Sequence, residues 1–221
     1  MGGLSIHVGV SPLVHGLLAW LLACLLSDRP LDRRLTVIAG LAADVDGAFA
    51  LFNADLFLSY HHTFGHSFVF GLPIAVVAAS LVRRWRIGAG ALAAFALHLL
   101  ADVVGSSWAV QPFYPLSSWG ISADPTISST TIYLVLNPIV AALILGLAGL
   151  VMYRREISPF EVLSLRLDQY AVYAWVYVFK HRCESCGRRA LARCGSCGRT
   201  RCAAHLASFW RLRCVDCLSP V

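Results

Sequence analysis

Hydrophobic and polar positions are segregated along this chain in long blocks. Five stretches, roughly 9–27, 35–53, 67–82, 87–108 and 132–152, are almost continuously apolar. At 1.5 Å of rise per residue, each approaches the ~20 residues that cross ~30 Å of hydrocarbon. The pattern predicts an all-α integral membrane protein with about five transmembrane helices. The first stretch does not read as a cleaved signal peptide: no basic leader precedes it, and Pro12 and His15 fall within it. After residue 153 the pattern changes. The predicted organisation is a membrane domain at 1–153, an amphipathic linker at 154–182 and a cysteine-rich finger at 183–221.

Composition supports the membrane reading. Apolar residues make up 58% of the chain and charged residues 14%, with a mean hydropathy of +0.69, whereas soluble domains run near ~25% charged. Arg29, Arg33 and Arg34 lie between the first two stretches, and Arg83, Arg84 and Arg86 between the third and fourth. Twelve of the eighteen Lys and Arg residues follow residue 153. The positive-inside rule then predicts a multi-pass protein of the cell (plasma or inner) membrane, with its N-terminus outside and its finger in the cytoplasm. The net charge of +6 is mostly a property of the tail and does not by itself indicate nucleic-acid binding.

Against that apolar background, His15, Asp44, Asp46, His61, His62, His66, His98 and Asp102 stand inside or beside the predicted spans. An ionisable group in a bilayer costs roughly 2.5–3.5 kcal/mol at the helix centre, so such residues are by default paired or functional. Histidine and aspartate are also zinc-type ligands. With the predicted topology, four segments deliver these side chains to the outer half of the membrane. His98 and Asp102 are four apart and share a helical face. Asp44 and Asp46 are two apart and would diverge on a regular helix, unless a break at Gly47 turns both inward. Ser67 is placed to cap the third span, with His66 at its entrance. The expected ligands are His15, Asp44, Asp46, His61, His66, His98 and Asp102, with His62 set aside as a bystander of the loop. The bland alternative is that these groups only hydrogen-bond between packed helices.

These stretches resemble the YdjM-like family of predicted membrane-bound, metal-dependent hydrolases. The residues that carry the resemblance are His15, Leu41 to Asp46, His61 to Ser67, His98 to Asp102, and Pro112-Phe113. The chain departs from the family pattern at Ala43, where the family has proline, at His62-Thr63 in place of Arg-Gly, and at Gly65 in place of threonine. The order of ligands is also similar to that of zinc-dependent phospholipase C enzymes. The resemblance implies a metal-dependent hydrolase; the placement of the polar residues in the outer leaflet favours an ester or phosphoester of a lipid-like substrate there, with Asp44, Asp46 or Asp102 as general base where it is not a direct ligand. One or more ions occupy the expected centre, zinc before manganese or iron. Two other classes stay open: a metal transporter, which the apolar inner halves of the spans disfavour, and a scaffold acting through the finger.

The finger carries four knuckles: Cys183/Cys186, Cys194/Cys197, Cys202/His205 and Cys214/Cys217. Eight ligands in pairs predict two closed structural zinc sites, which would supply most of the folding energy of so short a segment. Disulfides compete as an account, but they seldom persist in a reducing compartment. The spacing resembles cross-brace fingers of the B-box or AN1 kind, and a sequential pairing remains open. Arg182, Arg188, Arg189, Arg193, Arg199, Arg201, Arg211 and Arg213 form a predicted basic face for anionic lipid, an acidic protein or nucleic acid. The linker around 160–180 reads as an interfacial amphipathic helix. The loop from about 106 to 131, with Trp108, Phe113, Tyr114 and Trp119, reads as an interfacial lid or a plain aromatic belt. Cys24 reads as a small buried hydrophobe.

Overall fold

A computed structural model describes residues 11–123 and 126–217. The chain forms two compact units, Met1–Ala148 and Gly149–Val221. Residues 9 and 10 of the first predicted span, and the N-terminus expected outside, lie beyond the described residues.

The first unit is helical, and several of its helices start at a capping side chain or a proline. Helix α1 (Pro12–Leu26) opens on Ser11, whose hydroxyl accepts from Leu13 N at 3.3 Å, and has Pro12 in its first turn. Helix α2 (Pro30–Leu41) also begins on a proline. A 3₁₀ helix (Ala42–Leu51) and a short α3 (Ala54–Tyr60, capped by Asn53) follow. Helix α4 (Phe68–Val82) starts at Ser67, whose hydroxyl accepts from Phe70 N at 3.3 Å, which is the cap expected there. It is followed by α5 (Trp85–Gly105) and α6 (Ser129–Arg155), the latter containing a π-helical turn at Ile132–Leu136.

The membrane prediction holds in part. Of the described helices, α5 and α6, at 21 and 27 residues, are long and apolar enough to cross a bilayer. Helices α1 and α4 are apolar but only 15 residues each. The second predicted span is not one helix: it changes from α to 3₁₀ at Ala42. Five full spans are therefore not what the helices alone display.

Helix α5 is the hub, packed by α1, α2 and α4. Small residues let the helices approach, as is usual where no water drives association. Ala39, Ala75, Ala78 and Ala91 form one buried cluster, and a Cβ on Gly40 would lie 2.7 Å from that of Ala19. At one end, Arg84 of the α4–α5 turn pairs with buried Asp32 of α2, which also accepts from Ser27 Oγ at 2.6 Å. The two short basic segments thus meet at one end of the bundle.

In the second unit, a 3₁₀ turn (Pro159–Val162) leads into α7 (Leu165–Val172), which continues through a π turn (Tyr173–Tyr177) to Lys180. Two antiparallel hairpins follow: β1 (Ala192–Arg193) with β2 (Thr200–Arg201), and β3 (Leu206–Ser208) with β4 (Arg213–Cys214). Val172, Tyr173, Val176 and Tyr177 share a core with Ala190 and Ala192, flanked by Leu206, Phe209 and Leu212. Residues 172–177, in the segment predicted as a linker, thus pack against the finger.

Candidate metal centre

Two α-helices, one 3₁₀ helix and the turn before α4 bring the sequence-predicted residues together. Helix α5 presents His98 and Asp102 one turn apart, with His98 Nε2 3.1 Å from Asp102 Oδ2. Helix α1 adds His15, whose ring stacks on that of His98 at 3.7 Å and whose Nε2 lies 3.2 Å from Asp102 Oδ1. From the turn before α4, His66 Nε2 comes within 3.2 Å of Asp102 Oδ2 and 3.3 Å of His98 Nε2. Asp44 Oδ1 lies 3.5 Å from His98 Nε2 and 3.9 Å from His66 Nε2.

The 3₁₀ winding explains how both Asp44 and Asp46 reach this cluster. Residues two apart project about 160° apart on an α-helix but only about 120° apart on the tighter 3₁₀ helix. Asp46 lies behind the histidines. Its Oδ1 accepts from His61 Nδ1 at 2.7 Å and its Oδ2 from His66 Nδ1 at 3.0 Å. Gly65 makes this approach possible, because a Cβ there would strike the Ala43 carbonyl and come 2.8 Å from Asp46 Oδ2. Two departures from the family pattern, Ala43 and Gly65, therefore meet in space.

His62, set aside in the sequence as a loop bystander, is brought into the cluster. It is 1% exposed and has a left-handed φ of 67°. Its ring centroid lies 4.6 Å from that of His66, its Nδ1 is 3.3 Å from Trp108 O, and its carbonyl accepts from Gln111 N at 2.9 Å. Burial, aided by the neighbouring His66, pushes its pKa down to about 3, so the ring is neutral at physiological pH. The loop after α5 therefore closes over the histidines. Phe68 N donates to Pro112 O at 2.8 Å, and Phe113 stacks with Trp119. A His-His pair in a ligand-rich turn was the available signal; its inward orientation depends on a positive φ that sequence does not reveal.

Ligand atoms in three overlapping sets lie within 4.8 Å of one another: His15, His98 and Asp102; Asp44, His66 and His98; and His61, His62 and His66. Asp46 belongs to none of them. The cluster is also short of hydrogen bonds. Three buried atoms, His15 Nδ1, Asp44 Oδ2 and His98 Nδ1, have no hydrogen-bond partner, while His15 Nε2 and Asp102 Oδ2 make close His–carboxylate contacts without a hydrogen bond. Each such orphan costs about 1–3 kcal/mol, and proteins tolerate several in one place when a missing group satisfies them. The donor set and its orphans fit a divalent cation.

The finger gathers its ligands in the cross-brace manner. Knuckles one and three (Cys183, Cys186, Cys202, His205) converge, as do two and four (Cys194, Cys197, Cys214, Cys217). Cys186 and Cys202 sulfurs are 3.6 Å apart, Cys197 and Cys214 also 3.6 Å, and Cys194 and Cys217 3.9 Å. A tetrahedral zinc with Zn–S bonds of about 2.3 Å sets its sulfurs about 3.8 Å apart. These separations match that edge and are far too long for disulfides. Gly187 and Gly198, at φ of 70° and 72°, follow the second cysteines of knuckles one and two, where the chain doubles back. Burial opposes ionisation of Cys183 and Cys194, but backbone N–H groups aimed at their sulfurs outweigh it and lower both pKa values to about 6. Arg201, expected on the basic face, is instead buried. It bonds to Ser185 and pairs with Asp216 at 2.5 Å, tying knuckle one to knuckle four.

Comparison with known proteins adds a family. No curated protein and no solved structure matches the chain. The model of the YdjM inner membrane protein family matches residues 9–181, which takes in the whole histidine–aspartate cluster and stops before the finger. The chain belongs to the YdjM inner membrane protein family.

Proposed function

We propose that this membrane protein is a metal-dependent hydrolase acting on an ester or phosphoester of a lipid-like substrate. The observation that carries the reading is the concentration of unsatisfied, buried imidazole and carboxylate atoms at one point in an otherwise apolar bundle. His15, His61, His66, His98 and Asp102 would hold the metal, with His62 and the less buried Asp44 beside them. Zinc suits the imidazole-rich set best. Bound there, it would supply Lewis-acid polarisation of the scissile oxygen and ready ionisation of water.

The three aspartates divide the remaining work. Asp46 and Asp102 have side chains no more than 3% exposed, whereas that of Asp44 is 26% exposed. Asp44 is thus the carboxylate positioned to take a proton from attacking water. Asp46 holds His61 and His66 by their Nδ1 atoms, the usual task of a carboxylate behind metal-binding histidines. An apolar groove of about 290 Å³ supports an amphipathic substrate. It is lined by Val14 of α1 and by Ala101 and Val104 of α5, the helices that carry His15 and Asp102, with Tyr133 and Leu136 of α6 on the other side. The proposed setting is a five-span bundle with the centre in the outer leaflet and the finger in the cytoplasm. An engineered cysteine at Ser118 would then react with an impermeant reagent in intact cells, and one at Pro30 would not.

The activity test uses the full chain in nanodiscs with membrane lipid extract. Chelator-sensitive release of headgroups or acyl chains is expected, and is lost in Asp44→Asn and His98→Ala. Turnover by both variants at the wild-type rate would overturn the reading.

A further inference from the structure

The second unit holds a cavity of about 440 Å³ that the metal chemistry does not use. Arg166, Gln169 and Tyr170, spaced to share one face of α7, form one wall. Trp210, Arg211 and Arg213, from the tip of the β3–β4 hairpin, form the other. The two walls are fixed to each other: Tyr170 OH donates to Trp210 O at 2.9 Å, and the Tyr170 ring meets those of Trp210 and Phe209 at 5.4 and 5.5 Å. Among the described residues, none of the three arginines has an acidic partner. Three unpaired guanidiniums around one cavity mark an anion site, and their forked donors match a phosphate group.

The cavity rim is apolar. Trp210, in the cavity wall, is 75% exposed, and Leu163 and Leu167, close to Arg166 along the chain, are exposed as well. Exposed tryptophan and leucine beside arginine is the composition of a surface that sits at headgroup level. Connectivity provides the membrane: the unit begins at Gly149, within the helix Ser129–Arg155 that is long and apolar enough to span. We infer that this cavity binds the phosphate headgroup of an anionic glycerophospholipid of the protein's own membrane. Arg166, Arg211 and Arg213 hold the phosphate, while Trp210, Leu163 and Leu167 dip into the interface.

The test uses full-length protein in nanodiscs of phosphatidylcholine, with trace photoactivatable phosphatidylglycerol or photoactivatable phosphatidylcholine. Labelled peptides are mapped by mass spectrometry. The glycerol probe should label segments 163–170 and 206–213 at least about fivefold more than the choline probe. Each arginine near an anionic surface contributes about fivefold, so Arg166→Gln with Arg213→Gln should cut that labelling about 25-fold. Arg188→Gln with Arg189→Gln, equal in charge lost and exposed on knuckle one, should leave it unchanged and shows that a loss at the cavity is local. Equal labelling by the two probes, or equal loss in both double variants, overturns the inference. Abolition of labelling by a stoichiometric single-stranded RNA would assign the cavity to nucleic acid and overturn it too.

Discussion

Replacing Asp46 with asparagine separates a positioning role from a ligating one. Asp46 is buried, and its two oxygens each accept from an imidazole Nδ1, of His61 at 2.7 Å and of His66 at 3.0 Å. Those bonds keep the Nε2 lone pairs free, and His66 Nε2 is the atom that faces His98 and Asp102. Asparagine offers one oxygen and one NH2. It retains one of the two bonds and turns a donor toward the other ring, which must then carry its proton on Nε2, the metal-facing side. One charge-assisted hydrogen bond is lost, worth about 1.5–3 kcal/mol. At 1.4 kcal/mol per tenfold, that lowers metal affinity about 10- to 100-fold. The assay is Co2+ competition with a graded series of chelators, because the thiolate sites of the finger show intense sulfur-to-metal charge transfer and the histidine–aspartate site does not. Asp46→Asn should reach wild-type stoichiometry at saturation and release its ion about 10- to 100-fold more readily. Unchanged affinity, or outright loss of an ion, would refute the positioning role.

Three further outcomes follow from the packing and the second unit. Gly65→Ala should destabilise the membrane unit by about 1–3 kcal/mol, the usual cost of overpacking, and weaken metal binding, since its Cβ meets the Ala43 carbonyl and Asp46; thermal unfolding with metal titration checks both. Chelation should remove tertiary structure from residues 183–217, and Cys197→Ser should do so with metal present; hydrogen exchange across that segment reads it. Glu156→Gln should cost about 0.5–1 kcal/mol, because the carboxylate bonds to Lys180 at 2.7 Å and His181 at 3.0 Å. Burial raises the Glu156 pKa, but these two bonds outweigh it and hold it below the ordinary value. The contribution is therefore present at neutral pH and is lost as pH falls through the depressed pKa, so the wild-type advantage over Glu156→Gln should vanish in acid.

The sequence revealed what local physics determines. Ser67 marks the start of α4, and the His98–Asp102 spacing gives a shared face without any tertiary knowledge. The knuckle spacing named residues that do converge in the finger but not their pairing, because Cys183 meets His205 only through the return of the chain across the β1–β2 hairpin. Apolarity marked the stretches but not the lengths of the helices in them. It cannot register where a helix tightens to 3₁₀ at Ala42 so that two carboxylates face one cluster. His62 and Arg201 were misjudged for the same reason in opposite directions. A loop histidine and a surface-type arginine are both buried here by partners distant in sequence, Trp108 and Asp216.

Metal content of the intact chain tests the central claim most directly. Full-length protein in nanodiscs, measured by elemental analysis after removal of loosely bound ions, should carry two ions in the finger and at least one more in the membrane unit. His66→Ala and His98→Ala should each return the count to two while leaving the finger intact. A wild-type count of two, or counts unchanged in both variants, would mean that the buried histidines and aspartates hold no metal.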